Sequence, residues 1–223
     1  RGDGRVSRFG EATCIVDDSC DRMVQDCIAH DIPFGFYHFA SGDADGAAQA
    51  RYFRENTKGY EGRGIPILDF EVKYPNSFID EFVKEYHAIT GVFPLVYMNA
   101  SFITDEGYGS DFVKKSCGLW LAGYPYVKQY DSYPDDAVPP YDIGDGWTVA
   151  AWQFTSQYMA LGSGIDADFV YGDREAFMRY AKGGSAPESD MPAAPSEPVQ
   201  AAPETFQYTV VSGDTLSGIA ARY

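Results

Sequence analysis

The chain has 223 residues, among them 17 lysines and arginines and 33 aspartates and glutamates, which gives a net charge of −16. Hydrophobic residues make up 45% and aromatics 16%, enough for one sizeable packed domain and too much for a chain disordered throughout. The negative charge argues against nucleic acid and anionic membranes as partners, because both would repel it. No apolar run approaches the roughly 18 residues that span a bilayer, and RGDGRVSRFG at the start lacks the apolar region of a secretory signal.

Short apolar runs alternate with helical patterns over about the first 180 residues. Hydrophobic residues spaced three and four apart predict helices over 18–30, 77–90 and 173–182. Such alternation is typical of parallel βαβ units, so the predicted fold class is α/β, either a barrel or a doubly wound sheet. The strands are expected at 34–40, 65–71, 93–99, 118–124 and 147–154.

The composition changes abruptly after residue 182. Residues 183–206 contain five of the 13 prolines, four acids and neither lysine nor arginine. A segment of this kind cannot bury a core, and it predicts an extended linker. The predicted organisation is therefore a domain over 1–182, a linker over 183–206 and a short segment over 207–223.

Two carboxylates stand two residues apart at the end of one predicted strand. Side chains alternate across a strand, so Asp69 and Glu71 in LDFE point to the same face. Crowding raises the pKa of one member of such a pair, which is the arrangement that glycosidases use for a general acid beside an ionised carboxylate. The alternative is a pair of solvated acids at a strand-loop junction.

The other predicted strand ends carry groups suited to sugars. Sugars present apolar ring faces to aromatic side chains and hydroxyls to amides and carboxylates. Each aromatic residue taken singly could equally serve core packing. The candidates are Tyr37, Tyr97, Trp120, Tyr124, Trp152 and Gln153.

Six segments follow one another in a recognisable order: FGFYHFA, IPILDFE, FPLVYMN, LWLAGY, AAWQFTS and GIDADFVYG. In order and spacing, residues 11–180 resemble the glycoside hydrolase family 25 lysozymes, which are N-acetylmuramidases of bacterial and phage origin. The resemblance implies an irregular TIM-like (β/α) barrel of eight strands with fewer helices than a TIM barrel. It also implies cleavage of the β-1,4 bond between N-acetylmuramic acid and N-acetylglucosamine, without a cofactor.

The resemblance assigns roles to individual residues. Glu71 matches the general acid and Asp69 its companion carboxylate, while the further acid near the end of the family's domain is placed on Asp166 rather than Asp168. Asp69 would stabilise either the developing positive charge or the attacking acetamido group of the substrate, and both routes stay open. The six strand-end residues named above match the sugar groove.

The N-terminus departs from the family pattern. Family members begin with a strand that reads roughly Asp-x-Ser, and nothing over 1–8 resembles it. We therefore expect the barrel to lack its first strand, its first helix and most of its second strand. This expectation keeps open a second function, that of a catalytically inactive protein that binds cell-wall glycan.

The last seventeen residues, QYTVVSGDTLSGIAARY, resemble the opening of a LysM module. Complete LysM modules bind glycans that contain N-acetylglucosamine, so this segment is expected to be a truncated LysM after a disordered linker. The implied partner is the peptidoglycan glycan strand, and the implied location is extracellular or at the cell wall. We expect a monomer.

Two further possibilities concern substrate and metal. The same barrel could act on chitin-like polymers of N-acetylglucosamine instead of peptidoglycan. Asp43-Ala44-Asp45-Gly46 resembles the start of a calcium loop, but Arg54 occupies the twelfth position, where a bidentate glutamate is needed. This segment is predicted to be a turn with a helix cap, and no metal site is expected.

Overall fold

The computed structural model describes residues 16–183, apart from 126, 127, 136, 161 and 162, together with the strand backbone at 2–3, 5–6 and 12–13. The predicted linker, beyond Gly183, and the predicted LysM segment lie outside the described residues. Within the described part, every helix is too short or too polar to cross a membrane.

One seven-stranded sheet organises the described chain. Its order is β1-β4-β5-β6-β7-β8-β9, with parallel neighbours from β1 to β8 and an antiparallel last pair. Strands β2 and β3 form a separate antiparallel pair. The strands are β1 (Gly2–Asp3), β2 (Arg5–Val6), β3 (Ala12–Thr13), β4 (Gly35–Phe39), β5 (Ile65–Phe70), β6 (Leu95–Asn99), β7 (Gly118–Ala122), β8 (Thr148–Ala160) and β9 (Ser163–Val170).

Helices α1 to α5 supply side chains to the core on one face of this sheet, whereas Phe177 and Met178 of α6 pack on the opposite face. Helix α3 buries five apolar side chains, and it ends at Gly91, whose left-handed φ of 75° suits glycine. Helix α6 begins at Asp173, whose carboxylate accepts a hydrogen bond from the Ala176 N–H. The helices are α1 (Cys20–Ala29), α2 (Gly46–Asn56), α3 (Ser77–Thr90), α4 (Ala100–Thr104), α5 (Asp111–Ser116) and α6 (Arg174–Arg179), followed by a 3₁₀ turn at Tyr180–Lys182.

Strand register separates the two faces of the sheet. The row Phe70, Met98, Leu121, Trp152 and Phe169 runs across β5 to β9 on the helix-covered face and belongs to the main hydrophobic core. A second row on that face joins the fully buried side chains of His38, Leu68, Val96 and Leu119. Because side chains alternate, the residues between these rows point to the opposite face.

The opposite face is packed only near the amino ends of its strands. Ile65, Ile67, Leu95 and Ala150 form a small cluster there with Tyr180 and Ala181 of the 3₁₀ turn. The turn thus fills one end of this face and leaves the carboxyl ends of the strands accessible. The carboxyl ends of parallel strands are also where TIM barrels carry their functional residues.

The predicted α/β class and irregular parallel arrangement are confirmed, with two differences in detail. The main sheet has seven strands in the described part of the chain, whereas eight were implied for complete family members, and its edge strand β1 lies within residues 1–8, where no strand was predicted. Helix α2 and strand β9 were not predicted. Helix α2 buries Gly46, Gln49, Ala50 and Phe53, of which only Phe53 is large and apolar, and β9 buries only Ala167, so neither shows a clear apolar period. The predicted cap at the start of α2 is confirmed, because Asp45 accepts a hydrogen bond from the Ala48 N–H at 2.7 Å.

Candidate active site

A cavity of about 390 Å³ opens on the less covered face of the sheet, toward the carboxyl ends of the strands. Strands β4 to β9 all contribute to it, so residues far apart in sequence meet in one place. The register alone aligns Phe39, Asp69, Tyr97 and Trp120 in one row across β4 to β7. The lining residues are Tyr37, Phe39, Ile67, Asp69, Glu71, Tyr97, Trp120, Gln153, Asp166 and Asp168.

The predicted acid pair lies at this cavity. Asp69 is half-buried on β5, and Glu71 follows directly after the strand and is exposed. Both carboxylates line the cavity, as strand alternation predicts for positions two apart. A carboxyl that is both accessible and beside a second carboxylate can exchange a proton with a bound substrate.

Gln153 connects two tyrosines at the cavity wall. The Tyr97 hydroxyl donates to Gln153 Oε1 at 2.7 Å, and the Tyr124 hydroxyl donates to the same oxygen at 2.6 Å. Burial, with smaller contributions from nearby negative charges, raises the pKa of both tyrosines. Both therefore remain hydrogen-bond donors at neutral pH, and the amide of Gln153 is held in one orientation.

Strand β9 adds two acids to the same cavity. Asp166 is exposed, whereas Asp168 is half-buried and accepts a hydrogen bond from Trp120 Nε1 at 2.7 Å. Burial raises the pKa of Asp168 to about 6; the charge of Asp166 adds to this effect, and the Trp120 hydrogen bond opposes it. Asp168 therefore changes its charge within the pH range in which histidine side chains usually titrate.

Aromatic rings frame the acids. Tyr37 on β4 is 41% exposed and Tyr124, just after β7, is 43% exposed, which leaves much of each ring accessible to a ligand. The Trp120 ring meets Tyr97 edge-on, with centroids 6.1 Å apart and planes at 78°. Rings beside carboxylates and an amide give the mixture of apolar and polar surface that a sugar requires.

One predicted groove residue lies elsewhere. Trp152 is 3% exposed on the helix-covered face, where it stacks on Phe169 and donates from Nε1 to the Gly123 carbonyl at 3.0 Å. The prediction that Trp152 lines the groove is therefore wrong. Its neighbour Gln153 faces the cavity, and adjacent residues of a strand face opposite sides.

The structure also adds residues to the predicted set. Phe39 and Ile67, which were not predicted, line the cavity, and so does Asp168, which was set aside in favour of Asp166. A signal for Asp168 was present in the sequence, because Asp166-Ala-Asp168 repeats the two-residue spacing of Asp69-Phe-Glu71. Applied to β9, the alternation rule places both of its acids on one face.

His38 lies outside the cavity, on the helix-covered face. It is fully buried among aromatic rings and hydrogen-bonds through Nε2 to Gln49 Oε1 at 2.8 Å. Across the described residues, no three His, Cys, Asp or Glu side chains are arranged to hold a metal ion.

Two known family models match the chain. The model of the glycosyl hydrolases family 25 matches residues 6–163, and the LysM domain model matches residues 208–223. An N,O-diacetylmuramidase from Chalaropsis sp is 31% identical over 166 residues. That alignment covers 67% of this chain and 72% of the relative.

Solved structures share the fold. The muramidase from Acremonium alcalophilum superposes with a TM-score of 0.59 at 24% identity, covering 76% of this chain and 83% of that one. A bacterial lysozyme from Streptomyces coelicolor gives 0.57 at 22% identity, covering 74% and 79%. The arrangement of strands and helices described above is therefore shared with these proteins.

Proposed function

The chain belongs to family 25 of the glycosyl hydrolases, and we propose that it hydrolyses the glycan strands of bacterial peptidoglycan. The bond cleaved is the β-1,4 linkage between N-acetylmuramic acid and N-acetylglucosamine. The Chalaropsis relative, by name, acts on a diacetylated muramic acid, which supports a muramic acid residue on one side of the bond. The family membership agrees with the resemblance drawn from residues 11–180.

The observation that carries this proposal is the placement of Asp69 and Glu71. Both line an accessible cavity between aromatic rings, at the carboxyl end of a central strand. Glu71, the more exposed of the two, protonates the glycosidic oxygen and so allows the leaving sugar to depart. Asp69 stabilises the positive charge that develops on the muramic acid ring, or the acetamido group as it attacks that ring's anomeric carbon.

Asp166 is the third acid that we assign to the reaction. It lies on the exposed side of the cavity, and its negative charge favours a transition state with oxocarbenium character. Tyr37, Tyr97, Trp120 and Tyr124 provide ring surfaces for the sugars. Gln153, held by two of these tyrosines, presents its amide to hydroxyl or acetamido groups.

The proposed substrate indicates where the enzyme acts. A peptidoglycan hydrolase acts outside the cell or in the wall, and the LysM match over 208–223 supports attachment to the same polymer. Linking a binding segment to the catalytic domain raises the local concentration of substrate. We propose that one copy of the chain is sufficient for hydrolysis, because β4 to β9 of a single chain line the whole cavity.

Product analysis tests the proposal. Purified chain is incubated with purified peptidoglycan and, in parallel, with chitin; the products are reduced with borohydride, and the new ends are identified by mass spectrometry. Muramitol ends are expected from the native chain and should disappear with Glu71→Gln. Glucosaminitol ends would indicate a different linkage, and chitin cleavage without muramitol would indicate the chitin-like substrate. Binding to the wall without any new ends would favour the inactive glycan-binding alternative.

A further inference from the structure

Asp168 is the one acid of the cavity to which the reaction above assigns no task. Its Oδ1 accepts the 2.7 Å hydrogen bond from Trp120 Nε1, and it lies opposite Gln153 in the β8–β9 register. It therefore joins the last strand of the sheet to β7 across the cavity wall. Buried polar groups normally have a hydrogen-bond partner, and Trp120 Nε1 is a partner of this half-buried carboxyl.

The partner is an aromatic ring at the cavity wall. Trp120 is half-buried, packs against the small apolar cluster that contains Ile67 and Leu95, and lines the cavity; the indole N–H is the single polar group of its side chain. Tyr97 contacts the ring edge-on from β6, while Asp168 holds the N–H from β9. These two contacts restrain the indole from two strands and leave part of it open to the cavity.

We propose that Asp168 is a positioning residue that holds the Trp120 ring as a platform for one sugar ring of the substrate. It acts through Trp120 and exchanges no proton with the substrate. The inference rests on the proposed function, because the platform is useful only if the cavity receives a glycan. It adds a residue that governs substrate binding to those that carry the chemistry.

The strength of this hold depends on the charge of Asp168. Its pKa lies at about 6, so the carboxyl is ionised at neutral pH and accepts a charge-assisted hydrogen bond, which is stronger than a neutral one. Below pH 6 the protonated carboxyl is a weaker acceptor. The charged and titratable groups around the cavity are Asp166 on the same strand, Asp69 and Glu71 on β5, Tyr37 on β4, Tyr97 on β6 and Tyr124 after β7.

A titration without substrate tests the contact. The three indole N–H signals of ¹⁵N-tryptophan-labelled protein are followed from pH 4.5 to 8, and that of Trp120 is assigned with Trp120→Phe. We expect the Trp120 signal to shift with a midpoint at about pH 6. The shift should vanish in Asp168→Asn. In Asp166→Asn the midpoint should fall, because a negative charge near Asp168 is removed. A Trp120 signal whose chemical shift does not change with pH, or that still titrates near pH 6 in Asp168→Asn, would overturn the inference.

Kinetics on peptidoglycan separate positioning from catalysis. Asp168→Asn keeps a carbonyl acceptor for the indole, so its kcat and KM at pH 7 should stay within about threefold of native values. Asp168→Ala should raise KM about five- to tenfold with little change in kcat. Combining it with Trp120→Phe should cost no more than Trp120→Phe alone, because both changes break one contact.

Two kinetic outcomes would contradict the positioning role. A fall in kcat of a hundredfold or more in Asp168→Asn would make Asp168 a proton donor or acceptor in the reaction. Additive effects of Asp168→Ala and Trp120→Phe on KM would show that Asp168 acts independently of the indole. Failure of the proposed function is recognised separately, since the native chain would then release no muramitol while the indole titration is still measurable.

Discussion

At the scale of single residues, Gln49 is a fully buried polar side chain outside the cavity that makes three hydrogen bonds. Its Nε2 donates to the carbonyl oxygens of Ser41 at 3.1 Å and Ala44 at 2.9 Å, which leaves Oε1 to face His38. Because an amide oxygen only accepts, His38 donates from Nε2. The fully buried pair thus ties the loop before α2 to strand β4.

Replacing Gln49 should therefore destabilise the fold. Gln49→Leu has similar volume but leaves buried carbonyl groups without their donor, and we expect a loss of about 2–4 kcal/mol in the free energy of unfolding. Urea unfolding at pH 7 measures this loss. Gln25→Leu is the matched control, since Gln25 is exposed on α1, and its effect should stay within about 0.5 kcal/mol. Equal effects of the two substitutions would show that the buried network contributes nothing.

The raised pKa of Asp168 makes a prediction about stability and pH. An aspartate with a folded-state pKa of about 6 binds a proton more readily in the folded than in the unfolded chain, whose ordinary value is 3.8. Its contribution to stability is therefore present below pH 3.8 and is lost as the pH rises toward 6. Asp168→Asn removes this dependence. It should raise the free energy of unfolding at pH 8 by about 1–2 kcal/mol and have much less effect at pH 4.

Urea unfolding of native chain and Asp168→Asn at both pH values tests the sign. Asp145→Asn serves as the comparison, because Asp145 is exposed away from the cavity and should change stability little at either pH. A destabilised Asp168→Asn at pH 8 would mean that the Trp120 hydrogen bond outweighs the cost of burying the charge.

At the scale of elements, the backbones of helices α2 and α3 approach each other closely at Gly46, the first residue of α2. A Cβ added at Gly46 would lie 2.2 Å from the Phe78 carbonyl oxygen and 2.8 Å from the Phe82 backbone nitrogen. Only glycine allows this approach. The two helices cover β4 and β5, so their separation influences the strands that carry the acid pair.

Gly46→Ala should accordingly cost about 2–3 kcal/mol of unfolding free energy, although alanine favours helices more than glycine does. Thermal unfolding followed by circular dichroism provides the measurement. Gly164→Ala is the control, because a Cβ there meets nothing closer than the end of the flexible Gln157 side chain, at 3.0 Å. A neutral or stabilising Gly46→Ala would show that the helices can separate without cost.

Some strands and helices could be predicted from the sequence, and others could not. Strands β5 and β7 were predictable because they are continuous apolar runs buried on both faces, and α3 because five apolar residues recur at helical spacing before Gly91. Helix α2 was missed because, apart from Phe53, it packs through glycine, alanine and glutamine, which give no recurring apolar pattern. Strand β9 was missed because one antiparallel neighbour supports it, with little burial of its own.

At the scale of the whole molecule, the parallel sheet brings the predicted residues together. Asp69, Glu71, Tyr97 and Gln153 meet because their strands end at one edge, which the order of the motifs was enough to predict. The side on which Trp152 falls could not be predicted, since it depends on a register shift between β7 and β8 at Leu119 and Trp120. The bond between Asp168 and Trp120 likewise depends on the pairing of β8 with β9.

The segment beyond Gly183 should influence wall binding more than catalysis. A chain that ends at Gly183 keeps every residue of the cavity, so its kcat on short soluble glycan chains should stay within about twofold of the native value. Its co-sedimentation with insoluble peptidoglycan should fall about tenfold, because the residues that match the LysM model are gone. Unchanged co-sedimentation would show that the catalytic domain binds the wall without the segment beyond Gly183.

The central claim is that Glu71 protonates the glycosidic oxygen, and the most direct test is the rate of Glu71→Gln on two substrates. Its kcat/KM on peptidoglycan should fall about 10³-fold. A 2,4-dinitrophenyl β-glycoside of N-acetylglucosaminyl-N-acetylmuramic acid has a leaving group that departs without a proton, so there the loss should be about tenfold or less. Glu55→Gln, an exposed acid paired with Lys58 on the protein surface, should leave both rates unchanged. Equal losses of Glu71→Gln on the two substrates, or none on peptidoglycan, would contradict the assignment.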